Sequence, residues 1–217
     1  GRSQSSVSLR RAPGGGQRRR DLPDKSGLGR AAAPGADAQA LFATAVRHHL
    51  AGNTKAAIAG YREAIARDPA LAEAYNNLAS LLAPAGDEQV AEQLLQRAVE
   101  LQPDYGEAHN NLGILWSTRG DFARALPAFE RAVALDPTRP TWLGNLGNAY
   151  VEHFRFREAL ESYDRALAIA PDDAECWSNR GLALRGLRRP EDAIASFQRA
   201  LSIAPSHVHA LSNLAIL

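Results

Sequence analysis

The stretch Glu73-Ala74-Tyr75-Asn76-Asn77-Leu78-Ala79 decides how this chain is read, because it returns every 34 residues to the C-terminus. It recurs as E-A-H-N-N-L-G at 107–113, T-W-L-G-N-L-G at 141–147, E-C-W-S-N-R-G at 175–181 and H-A-L-S-N-L-A at 209–215. One member is fixed throughout: Asn77, Asn111, Asn145, Asn179 and Asn213. Self-similarity at a constant period of roughly 20 to 50 residues marks a stacked-repeat architecture and takes precedence over other readings.

Outward from this phrase, Pro69, Pro103, Pro137, Pro171 and Pro205 divide the chain into blocks starting at 38, 72, 106, 140, 174 and 208, the last cut after ten residues. Alanine recurs at two places in the second half of each full block: Ala57, Ala91, Ala125, Ala159 and Ala193, then Ala64, Ala98, Ala132, Ala166 and Ala200. Alanines seven apart share one helix face and let a neighbouring helix approach closely. The bulky residue between them (Tyr61, Leu95, Phe129, Tyr163, Phe197) fills the space beside them. The first half of each block carries its own small position: Ala45, Ala79, Gly113, Gly147 and Gly181. Gly52-Asn53, Gly86-Asp87 and Gly120-Asp121 signal a turn between the halves, and Pro190 sits near the start of a second helix, where its missing N–H costs little. The residue before each boundary proline disfavours the helical region and closes the second helix. Each block is therefore expected to be an antiparallel helix pair.

This skeleton resembles the tetratricopeptide repeat (TPR) family over about 180 residues, all of the chain outside its N-terminal tail. The resemblance implies an all-α, right-handed TPR solenoid of antiparallel helix pairs, five full repeats plus a truncated sixth, with the first helices lining the concave surface. Family members are mostly protein-binding scaffolds. The asparagine row is also similar to the superhelical TPR arm of protein O-linked N-acetylglucosamine transferases, where it grips substrate backbone. The family's clamp for acidic chaperone C-termini needs lysine and arginine on these helices. Position five of each block holds instead Phe42, Asn76, Asn110, Gly144, Ser178 and Ser212, so that clamp looks absent.

Departures from the family pattern carry expectations of their own. Thr44 and His48 make the first block the least regular, a candidate cap. Arg180 replaces the leucine of other blocks, with its stem packed and its head reaching water. Pro127 lies inside a second helix and should bend it, and Pro84 should shorten a first helix. The apolar outer face of 208–217 is a poor cap and a candidate surface for self-association.

Residues 1–37 read as a disordered Gly/Arg/Pro-rich basic tail ahead of a repeat domain at 38–217. The first 36 residues carry eight Lys and Arg against two Asp, and the remainder is net acidic by five. Such a tail has too few apolar anchors to offset its ordering entropy. It reads as a solvated linker, or as an arm for nucleic acid or acidic membrane centred on Arg18-Arg19-Arg20; without aromatic residues for base stacking, nucleic acid is disfavoured. The chain opens on Gly, contains no Met and stops within a repeat, and is read as part of a longer protein. No stretch approaches the roughly 20 apolar residues of a membrane span, so a cytoplasmic protein is the expectation.

No catalytic set emerges. Phosphate-cradling, nucleophile-elbow and H-E-x-x-H motifs are missing from the sequence. His48-His49 and His207-x-His209 lack a Cys or carboxylate partner cluster and read as surface or packing residues, and neither metal nor cofactor is expected. Cys176 reads as a packing residue, and Trp116, Trp142 and Trp177 as filling between helices rather than a ligand box.

The asparagines remain. Stacked first helices roughly 10 Å apart would place one carboxamide per repeat along the groove. An extended peptide advances about 3.3 Å per residue, so each amide would meet roughly every third residue. A carboxamide offers both a donor and an acceptor, which suits a peptide backbone and ignores its side chains. Asn76, Asn110 and Asn148 are further candidates on these helices. The alternative is that the amides satisfy neighbouring helix backbones. Two functions follow: a non-catalytic scaffold holding an extended segment of a partner protein, or the substrate-recruiting arm of a larger enzyme, most plausibly a glycosyltransferase.

Overall fold

A computed structural model describes residues 34–215, with side chains from Asp37 onward; residues 1–33 of the basic tail lie outside the described residues. First helices are α1 (Pro34–Leu50), α3 (Ala72–Leu82), α5 (Gly106–Thr118), α7 (Pro140–Glu152), α9 (Ala174–Gly186) and α11 (Val208–Ala215). Second helices are α2 (Thr54–Arg67), α4 (Glu88–Leu101), α6 (Phe122–Leu135), α8 (Phe156–Ile169) and α10 (Pro190–Ile203). No strand occurs among the described residues. The all-α solenoid of helix pairs follows as expected, with α1 beginning four residues ahead of the first block boundary at Ala38.

Each helix packs against the next in sequence, and α5, α7, α9 and α11 each also touch the first helix before them. Among the described residues, second helices make no comparable approach to one another. The stack therefore curves with its first helices on the inside.

The alanine pairs sit where the spacing puts them. Ala57, Ala91, Ala125, Ala159 and Ala193 are all fully buried, and the bulky residues beside them are no more than 3% exposed. In the third to fifth repeats the small position opposite is set by the ring it meets. A Cβ on Gly113, Gly147 or Gly181 would lie 2.5–2.6 Å from a ring carbon of Phe129, Tyr163 or Phe197. Where the facing residue is Leu95, Ala79 fits.

All five intra-pair turns close alike, by an N–H donating to the carbonyl five residues back: Asn53 to His48, Asp87 to Leu82, Asp121 to Trp116, Arg155 to Tyr150 and Arg189 to Leu184. That bond needs a left-handed residue just before its donor. Gly52, Gly86 and Gly120 supply it in three repeats. In the fourth and fifth, Phe154 (φ 57°) and Arg188 (φ 58°) adopt the same conformation despite their side chains.

The prolines behave as their positions dictate. α3, followed by Pro84, has 11 residues against 13 in α5, α7 and α9, the shortening expected. Pro190 opens α10, and α6 runs through Pro127 without interruption.

The head of Arg180 lies at the surface and is also held there: Nε donates to Asp164 at 2.6 Å, an Nη donates to Ser196 Oγ at 2.8 Å, and the guanidinium lies 5.5 Å from the Trp177 ring.

Candidate functional site

Helical geometry places adjacent residues about 100° apart, and this separates the paired asparagines. Asn76 and Asn110 turn toward the helix interfaces, 0% and 6% exposed, whereas Asn77, Asn111, Asn145, Asn179 and Asn213 are half-buried on the inner wall. Asn76 and Asn110 are therefore corrected: a buried amide cannot face a peptide. Each accepts instead from the asparagine of the following repeat. Asn111 Nδ2 donates to Asn76 Oδ1 at 2.8 Å, and Asn145 Nδ2 donates to Asn110 Oδ1 at 3.0 Å. The other end of this ladder is closed by Asn76 Nδ2, which donates to Asn77 Oδ1 at 3.2 Å.

Beyond the third repeat the pattern changes. Position five becomes Gly144 and then Ser178, neither able to offer an amide. Asn179 Nδ2 donates instead to Asn148 Oδ1 at 3.1 Å, which also accepts from the Tyr163 hydroxyl at 2.6 Å. Ser178 Oγ is buried without a hydrogen-bond partner among the described residues. Asn213 Oδ1 accepts from Arg185 at 3.0 Å.

Each inner amide of the middle repeats thus commits one N–H to its neighbour and keeps its carbonyl and second N–H. The amides bind repeat to repeat side chain to side chain rather than to neighbouring helix backbones, and those bonds fix the orientation of the groups left over.

The inner wall opens into a hollow of about 650 Å³ that runs from the end of α5 to α11. Asn148, Asn179 and Asn213 line it together with Ser117, Val151, Glu152, Tyr163, Glu175, Leu182, His209 and Ser212. A smaller recess of about 150 Å³ joins Asn145 and Asn148 to Ile114, Ser117, Thr118 and Phe129. Asn148, Asn179 and Asn213 are therefore brought together, Asn145 lies beside them, and Asn77 and Asn111 belong to the N-terminal stretch of the row. Burial raises the Tyr163 hydroxyl, and the negative fields of Cys176, Glu175 and Glu152 add to it. Burial likewise raises Tyr105, with Glu107 and Glu73 adding to it. The carboxylates of this wall are functional candidates that motif reasoning passes over. A signal for them exists, since Glu73, Glu107 and Glu175 share position two of their blocks.

Apart from His209, the other candidates fall outside this wall. Burial pushes the Cys176 thiol up to about 12, the mark of a packing residue. Trp142 is buried against Gly106, Trp116 Nε1 donates to Glu92 across a repeat boundary, and Trp177 Nε1 donates to the Pro171 carbonyl. His49 pairs with the Tyr61 hydroxyl at 3.1 Å, and His207 with Glu175 at 2.9 Å. No group of three or more His, Cys, Asp or Glu able to hold a metal ion occurs among the described residues. No helix among them is long and apolar enough to cross a membrane.

Two family models described as tetratricopeptide repeat match residues 70–138 and 145–208, together well over half of the chain. No curated protein matches it. Among solved structures, YrrB, described as a TPR protein with an unusual peptide-binding site, superposes with a TM-score of 0.70 at 22% identity, covering 82% of this chain and 91% of that one. PilF of Pseudomonas aeruginosa gives 0.74 at 21% identity, covering 83% and 82%. MamA from Desulfovibrio magneticus RS-1, residues 41 to the end, gives 0.70 at 20% identity, covering 81% and 99%. At these identities the likeness is one of fold.

Proposed function

The chain belongs to the tetratricopeptide repeat family, and from that premise we propose that it is a non-catalytic interaction scaffold holding an extended peptide along its inner wall. The observation that carries this reading is the oriented amide row. Asn111, Asn145 and Asn179 each fix one N–H on the preceding repeat and retain a carbonyl and an N–H. A peptide backbone presents the complementary groups on every residue, and an amide held in place loses little entropy on binding. The hollow beside Asn148 and Asn179 provides the room such a strand needs. YrrB, of the same fold, is described as having a peptide-binding site, which fits this use of the concave face.

The test separates holding a peptide from holding the repeats together. Replacing Asn111, Asn145 and Asn179 by Ala should weaken binding of a pool of labelled extended peptides at least about tenfold, from the loss of several backbone contacts, with helicity by circular dichroism retained. Asn76→Ala and Asn110→Ala cut two of the three inter-repeat bonds, those of Asn111 and Asn145, without removing an inner-wall amide. If these two weaken binding as much as the triple replacement does, the row is structural and the proposal fails.

A further inference from the structure

The hollow that runs from the end of α5 to α11 is acidic. Glu152 and Glu175, both exposed, line it, and no lysine or arginine does. The groups facing it from every neighbouring helix are few. His209 lies 3.7 Å from Glu175, His207 holds the other Glu175 oxygen at 2.9 Å, and Arg185 at the rim donates to Asn213. Glu152 has no ion pair among the described residues, so its carboxylate is open to a ligand. Val151 and Leu182 give the same hollow an apolar flank. Farther along the wall, Glu73 and Glu107 continue the acidic line on the exposed face of α3 and α5.

Two carboxylates lining one hollow with an apolar flank match one kind of side chain: a long aliphatic stem ending in a cation, the stem lying on hydrocarbon and the head on the acids. We propose that the hollow between Glu152 and Glu175 is a specificity pocket for an arginine or lysine side chain of the peptide held on the amide row. This rests on the peptide-binding reading above and adds to it the chemistry of the ligand. Backbone contacts to the amides are blind to sequence, so selection falls to this pocket. An acidic segment meets Glu152 and Glu175 as like charges and is rejected.

Fluorescence anisotropy of the full chain with labelled peptides of about twelve residues, long enough to span four repeats when extended, tests it. Three peptides share one neutral polar sequence and differ only in a central Arg, Gln or Glu. The Arg peptide should bind about tenfold tighter than the Gln peptide, and the Glu peptide weakest, from the electrostatics of one partly desolvated pair. Glu152→Gln with Glu175→Gln should bring the Arg peptide down to the Gln peptide's affinity and leave the Gln peptide unchanged. Glu152→Gln alone, which disturbs no ion pair, should give part of that loss. Equal binding of the Arg and Glu peptides, or an Arg preference that survives the double variant, overturns the pocket and leaves the amide row standing. Binding of none of the three overturns both.

Discussion

The two ends of the amide row are built differently. Between the second and fourth repeats, a doubled asparagine supplies a buried acceptor, and the ladder runs Asn111 to Asn76 and Asn145 to Asn110. Between the fourth and sixth, Gly144 and Ser178 stand in place of that acceptor, and the bond moves outward to exposed Asn148. The first arrangement seals the wall with amides inside the core. The second leaves Ser178 Oγ orphaned and hollows the wall out. At position five the asparagine of the second and third repeats thus gives way to Gly144 and Ser178, and the inter-repeat bond leaves the buried seam for an exposed residue.

The largest expected effect breaks the sealed half. Asn110→Ala removes a buried acceptor and orphans Asn145, and should cost about 2–3 kcal/mol in urea denaturation. Asn148→Ala, at the exposed counterpart, should cost less than about 1 kcal/mol because water replaces the lost acceptor. Equal costs would erase the distinction between the two halves.

The charge networks differ in the same direction. Glu92, its side chain only 14% exposed, accepts from Trp116 and Arg124 and pairs with Arg119 across the second and third repeats. The Trp116 N–H above all, helped by the two arginines, holds its carboxyl below the usual range. A carboxyl depressed in the folded state stabilises above its unfolded value, about 4.3, and that stability is lost as pH falls through the folded value. Glu92→Gln should therefore cost about 1.5–3 kcal/mol near neutral pH, and the gap to the parent should close below about pH 4. In the C-terminal half the corresponding pair, Asp164 with Arg180, has its carboxylate half exposed. Asp164→Asn there should cost at most about 1 kcal/mol.

A smaller and opposite effect sharpens the comparison at the turns. Replacing Arg188 by Gly should raise stability by about 1 kcal/mol, since a left-handed L-residue costs about that much. Phe154→Gly should gain less, because it also removes the edge-on contact of Phe154 with Phe156 at 6.2 Å. Gly86→Ala and Gly120→Ala should each lose stability, which thermal melts would register. A gain at the glycines would mean the turns are not what strains the C-terminal half.

Much of the fold is legible in the sequence because it repeats. The alanine pairs, the bulky residue between them and the small position opposite each appear five times, and their burial follows from spacing alone. The division of labour within Asn76-Asn77 and Asn110-Asn111 is not legible. Which of two neighbours turns inward depends on where the next helix lies, and composition does not carry that. Phe154 and Arg188 are within reach of the sequence, since counting 34 residues from Gly52, Gly86 and Gly120 lands on them. The partners of Arg180, Asp164 and Ser196, are not legible from sequence because they come from the helices on either side rather than from its own.

The interruption at Gly144 has a consequence for position along the strand. A ligand gripped by a strictly periodic row can slide by one period and recover every bond it breaks, so such a row alone cannot assign it a place. The missing acceptor ends that translational symmetry at one point of the wall. Under the peptide-binding proposal, a strand lying there would meet amides held by different partners on either side of Gly144, and so a fixed point from which its residues are counted.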